Sequence, residues 1–212
     1  MVLVRSDLPA GTTVSKDDYG NDDTCITDYD REFDVGGRRF HTSRLLGVEA
    51  SVCVLDSASN AQRLYGLIAR LATTKAGRAA LTKQIADTVG KAGKVTLLRG
   101  RRITAGNGAV EIAFRIVAKK TTIEASLVYL RVNRVLGILV LGGIPSGHIV
   151  PADVDALSRT FATRVNKGLV VSVLPVNTAL PLVTGSAQTG QTLSASTGTW
   201  TGNPGTFAYQ WL

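Results

Sequence analysis

The chain has 212 residues, 44% of them hydrophobic and 19% charged, which suits one or two globular domains and excludes disorder by composition. Its longest apolar run, Val135 to Ile144, spans ten residues, about half of the ~20 that a helix needs to cross a bilayer. The net charge of +8 is uneven: through Asp34 there are nine acidic and three basic residues, and from Val35 onward seven acidic and twenty-one basic.

An acidic lobe on a basic body favours polyanions (nucleic acid, anionic headgroups, acidic wall polymers), although solubility alone also explains such a charge. Met1-Val2-Leu3-Val4-Arg5 is too short for a secretory signal, so a cytoplasmic chain and one with a trimmed or misassigned start both stay open. Residues 1–34 read as a short strand and then irregular polar chain, with a turn at Leu8-Pro9-Ala10-Gly11. The acidic residues around Gly20 lack the alternating spacing of a calcium loop and read as a solvated loop. Cys25 and Cys53 are compatible with one disulfide in an oxidising compartment or with two reduced thiols.

Residues 38–55 read as paired strands, with Leu46, Val48, Ala50, Val52 and Val54 alternating on one face. Asp56-Ser57 caps a helix whose apolar stripe is Ala58, Ala61, Leu64, Tyr65, Ile68, Ala69 and Ala72. A second helix runs from about Ala76 to Val89, with Ala80, Leu81, Ile85 and Val89 as its apolar set, and Gly90 and Gly93 end it. Val95 to Leu98 forms a strand, and Arg101 to Thr104 another or its continuation. Ala105-Gly106-Asn107-Gly108 is a hairpin turn. Val110, Ile112, Phe114, Ile116 and Ala118 line one face of the next strand, with Glu111, Ala113 and Arg115 on the other. Turns at Lys119-Lys120-Thr121-Thr122 and Asn133-Arg134 complete an antiparallel meander, since such short connections cannot make a parallel crossover. Val135 to Leu141 is apolar on both faces and reads as a central strand. Pro151 opens a helix to about Arg164, with Val154, Leu157, Phe161 and Val165 as its buried stripe.

The composition changes near Asn166, and from Pro175 to Leu212 no Lys, Arg, Asp or Glu occurs. Leu180-Pro181-Leu182-Val183-Thr184-Gly185, Gly190-Gln191-Thr192-Leu193-Ser194-Ala195, Gly198-Thr199-Trp200 and Tyr209-Gln210-Trp211-Leu212 together resemble the first half of a bacterial immunoglobulin-like repeat of actinobacterial surface proteins. Gly190 would turn the chain before a strand at Thr192 to Ala195, and Gly202-Asn203-Pro204-Gly205 would be a loop. Phe207, Tyr209 and Trp211 would alternate in a further strand, with Trp211 as core residue. The body is similar, through Ser6-Asp7-Leu8-Pro9-Ala10-Gly11, the helix–meander middle and the Asp155 to Val165 helix, to the extracytoplasmic sensor-like domains of actinobacterial lipoproteins and receptor kinases. That similarity implies an antiparallel sheet with helices on one face and a cleft. The tail resemblance favours the Cys25–Cys53 disulfide.

The expected organisation is therefore an α+β sensor-like domain at 1–167, a linker at 168–178 and an incomplete immunoglobulin-like repeat at 179–212. The expected role is non-enzymatic: binding, sensing or presentation outside the cytoplasm, with the export signal absent from this chain. Candidate contacts for a small molecule or an anionic envelope polymer are Arg99, Arg101 and Arg102, the densest basic patch, and Tyr65 and Tyr129, as cleft residues. Nucleic acid is disfavoured because no aromatic residues interleave with those arginines for stacking. No cofactor or metal is expected, since two Cys and two His far apart give no zinc pattern. A serine hydrolase would use Ser146, His148 and Asp153, but no nucleophile-elbow motif is present. Gly142 to His148 sits between a strand and a helix, where an anion could bind, yet lacks a phosphate-loop or dinucleotide pattern.

Overall fold

The computed structural model describes residues 2–20, 25–89, 93–118, 121–143, 148–171 and 176–201. The chain divides into two compact units, Met1–Gly168 and Leu169–Leu212.

The first unit holds seven strands: β1 (Thr13–Gly20), β2 (Thr27–Phe40), β3 (Ser43–Val54), β4 (Gly93–Ile103), β5 (Gly108–Ala118), β6 (Thr121–Val132) and β7 (Val135–Gly143). They form one sheet in the order β1-β2-β3-β7-β6-β5-β4. Every neighbouring pair is antiparallel. The sheet thus consists of two meanders joined by the long-range pairing of β3 with β7. Helices α1 (Ala58–Thr73) and α2 (Lys75–Val89) connect the meanders, and α3 (Pro151–Val171) follows the second. The α+β architecture with an antiparallel meander stands as the sequence implies, and β7 is its central strand.

Local chemistry explains the helices. Ser57 caps α1 by accepting a hydrogen bond from the Asn60 backbone N–H at 3.2 Å, as expected for Ser at that position. Thr74 does the same for α2, accepting from the Gly77 N–H at 3.1 Å. Tyr65, Ala69 and Ala72 of α1 pack on Val110 and Ile112 of β5. The small side chains let helix and sheet approach closely: a Cβ on Gly100 would lie 2.2 Å from the Ala72 carbonyl oxygen. Val154, Leu157, Phe161 and Val165 of α3 are fully buried, the stripe that the periodicity indicates.

The helices divide between the two faces. Leu136 packs with the α1 cluster, whereas a Cβ on its neighbour Gly137 would meet the Phe161 ring at 3.0 Å. Successive strand residues point to opposite faces, so α1 and α2 lie on one face and α3 across the other; the expected placement of the helices on one face does not extend to α3.

Several local expectations change. Thr13–Gly20 and the first half of Thr27–Phe40 pair as antiparallel strands β1 and β2 where a polar loop is expected. Asp and Gly are poor strand formers, but pairing overrides that preference, and the Arg31–Asp17 ion pair at 2.8 Å holds the edge strand. Leu46 is exposed while Leu45 is fully buried, because the register shifts between Leu45 and Gly47 and a shift of one residue exchanges faces. β4 is one strand with an irregularity between Leu97 and Arg99. Ala80 of α2 is exposed. The third helix runs seven residues past Arg164, to Val171.

Among its described residues the second unit contains two short strand pairs. β8 (Val176–Ala179) pairs with β11 (Thr199–Thr201), and β9 (Val183–Gly185) pairs with β10 (Leu193–Ala195). Gly190 adopts φ +85° between β9 and β10, at the expected turn. The Trp200 indole N–H donates to the Thr197 carbonyl at 2.7 Å. The expected strand with Phe207, Tyr209 and Trp211, and the Gly202–Gly205 loop, lie outside the described residues.

Candidate functional site: a sheet–helix cleft

On the α1 face the sheet register lines up residues from distant parts of the sequence. One row runs Asp30–Ser51–Ile138–Tyr129–Val110, from β2 through β3, β7 and β6 to β5. The row beside it runs Asp28–Cys53–Leu136. The first row therefore runs from polar residues on β2 and β3 to apolar ones on β7, β6 and β5 and ends at Arg102 of β4, while the second passes from Leu136 to Arg131 of β6. α1 covers the apolar part only. The uncovered step between the polar and apolar parts is a cleft of about 460 Å³. Its floor is Leu136, Ile138 and Tyr129, its helix wall Ile68, and its outer wall Asp28, Asp30 and Glu49.

The Cys25–Cys53 disulfide ties the start of β2 to β3 at the edge of this cleft, with an S–S distance of 2.07 Å. Both cysteines line the cleft. Burial pushes the Tyr129 phenol up, so it is neutral near pH 7. Burial also raises the Tyr65 phenol, against the opposing charge of Arg102 and Arg131. Tyr65 packs with Tyr129 in the α1 cluster but does not line the cleft.

The predicted arginines are placed differently. Glu111 is fully buried, and Arg99 and Arg101 converge on it at 2.6 and 2.5 Å. Ser126 donates its hydroxyl to the same carboxylate at 2.6 Å. Arg101 also pairs with Asp155 at 2.6 Å, and Arg99 donates to the Ile149 carbonyl at 3.1 Å. These two arginines thus serve an internal network that joins the sheet to the start of α3. Arg102 points to the opposite face, beside Tyr65. The three arginines do not form one basic patch, because adjacent strand residues alternate in direction.

The hydrolase candidates also separate. Ser146 lies outside the described residues. His148 Nδ1 lies 3.3 Å from Glu124, not from Asp153. Asp153 Oδ2 accepts hydrogen bonds from the backbone N–H and hydroxyl groups of both Thr42 and Ser43, at 2.7 to 3.0 Å. Burial pushes the Asp153 carboxyl up, but those hydrogen bonds outweigh it and hold the group below its ordinary value. Glu124 behaves alike: burial raises it, while Arg115, the Ile149 N–H and His148 bring the balance down. Both carboxylates are structural anchors for the chain segments around α3. Of the Gly142–His148 stretch, residues 144–147 lie outside the described residues.

Of the two tyrosines expected in the cleft, Tyr129 lines it and Tyr65 does not; Asp28, Asp30, Glu49, Leu136 and Ile138 are not among the expected residues. A usable signal exists for Asp28 and Asp30. Tyr29, Phe33 and Val35 are buried on one face of β2 and alternate with Asp28, Asp30, Glu32 and Asp34, a period of two. No helix of the described residues is long and apolar enough to cross a membrane. Comparison of the chain with protein-family models, curated proteins and solved structures found no match.

Proposed function

We propose that residues 1–168 form a non-enzymatic module that binds a small molecule in the sheet–helix cleft, outside the cytoplasm. The observation that carries this reading is the cleft itself: an apolar floor, a neutral phenol and a few polar groups on one wall, the composition of ligand sites in general. The disulfide supports the compartment, since such bonds persist in oxidising surroundings. The likeness of the tail to surface repeats supports the same placement, with that segment as a spacer or adhesive repeat. The polyanion alternative loses support because Arg99 and Arg101 are occupied by Glu111.

The test is chemical-shift mapping with 2-phenylethanol, a neutral apolar probe of suitable size. Shifts concentrated on Ile68, Tyr129, Leu136 and Ile138 are the expected result. Shifts scattered over the surface, or none at millimolar probe, overturn the reading.

A further inference from the structure

The charge of the cleft separates it from the rest of the molecule. Elsewhere in the body most carboxylates have cationic partners, among them Asp7 with Arg164, Asp17 with Arg31, Glu111 with Arg99 and Arg101, and Glu124 with Arg115, while the exposed Asp34 and Asp56 accept hydrogen bonds from the Gly36 N–H and the Asn60 amide. Along the cleft the pattern stops. Among the described residues no Lys or Arg lines it, although the chain carries 24 of them. Asp28 Oδ1 is buried and has no hydrogen-bond partner. Glu49 accepts only a long hydrogen bond of 3.4 Å from the Ser51 hydroxyl. Asp30 stands opposite Ser51, and Glu49 lies two residues from Ser51 along the same face of β3.

Like charges at such cross-strand and diagonal positions repel and weaken a sheet. A buried acceptor without a donor adds a further penalty. Neither feature helps the fold, and violations of this kind are expected where a sequence serves binding as well as folding. The carboxylates do not converge: no group of three His, Cys, Asp or Glu among the described residues could hold a metal ion. Their charge is spread along one wall, facing an apolar floor.

We propose that the cleft selects a small organic cation with an apolar body, its ammonium group on the acidic wall to which Asp28, Asp30 and Glu49 contribute and its apolar part on Tyr129, Leu136 and Ile138. This inference rests on the cleft being the binding site proposed above. The complementarity also explains how a protein of net charge +8 could capture a cation: the local wall, not the total charge, sets the potential inside a cleft.

Three probes of one size separate the two readings. 2-Phenylethylammonium, 2-phenylethanol and phenylacetate are titrated against the full chain at low salt, with cleft shifts as readout. The expected order is cation, then alcohol, then anion. The cation should bind about tenfold more tightly than the alcohol, a lead that shrinks as salt is added. In the triple variant Asp28→Asn, Asp30→Asn, Glu49→Gln the cation-to-alcohol ratio should fall toward one. Equal binding of all three probes at the cleft overturns the cation inference and leaves the cleft reading intact. Binding of none overturns both. A ratio that survives the triple variant also overturns the cation inference. Unfolding by urea checks that the variant is folded, and the single variants replace it if it is not.

Discussion

The α3 face of the central sheet and the cleft on its α1 face treat negative charge differently. On the α3 face Glu111 and Glu124 are buried and each meets at least one guanidinium, while Asp153 meets four hydrogen-bond donors. Among the described residues Asp28, Asp30 and Glu49 in the cleft on the α1 face form no ion pair, and Glu49 accepts only a 3.4 Å hydrogen bond from the Ser51 hydroxyl. The first arrangement holds α3 and its preceding chain to the sheet. The second lacks such partners, which is the ground for the recognition role proposed above. On the reading proposed above, the carboxylates of this fold divide into structural and recognition groups according to their partners.

That division sets the order of effects expected from substitution. Glu111→Ala leaves two partly buried guanidiniums without their anion, and should cost roughly 3–5 kcal/mol of unfolding free energy, read by urea denaturation. A loss under ~1 kcal/mol would place Glu111 outside the structural group. Cys25→Ser with Cys53→Ser opens a link across a separation of 28 residues, and should cost about 3–4 kcal/mol by the chain-entropy argument. It should also weaken cleft binding, since both cysteines border the cleft. Asp153→Asn removes the charge from an acceptor of four hydrogen bonds and should cost about 2 kcal/mol.

The same groups give an acid dependence. Asp153 and Glu124 both have folded values below their ordinary ones. Their stabilisation is complete above the unfolded carboxylate range and is lost as pH falls through the folded values. The urea midpoint should therefore drop as pH is lowered below about 4. In Asp153→Asn that drop should be smaller than in the parent, and an unchanged pH profile would separate Asp153 from the acid transition.

The sequence carried the secondary elements more clearly than the site. The α1 stripe from Ala58 to Ala72 and the α3 stripe from Val154 to Val165 repeat at helical spacing within one element, so periodicity reveals them. The β5 alternation and the turn at Gly106-Asn107 are equally local. The role of Arg101 was also within reach, because that hairpin places it directly opposite Glu111. The cleft was not. Its row joins Asp30 to Tyr129 through the β3–β7 pairing of Ser51 with Ile138, and no local pattern specifies that register. The β2 acids were hidden further by their own composition, which reads as loop until Tyr29, Phe33 and Val35 are seen to alternate with them.

The central claim is that the cleft carboxylates serve recognition and not folding. Urea unfolding of the double variant Asp30→Asn, Glu49→Gln at neutral pH and low salt tests it. The account predicts a midpoint equal to the parent's or higher, with a gain of up to about 1 kcal/mol from relieved repulsion. A loss of more than about 1 kcal/mol, well beyond the usual effect of a surface substitution, would show that these carboxylates hold the sheet together and would contradict it.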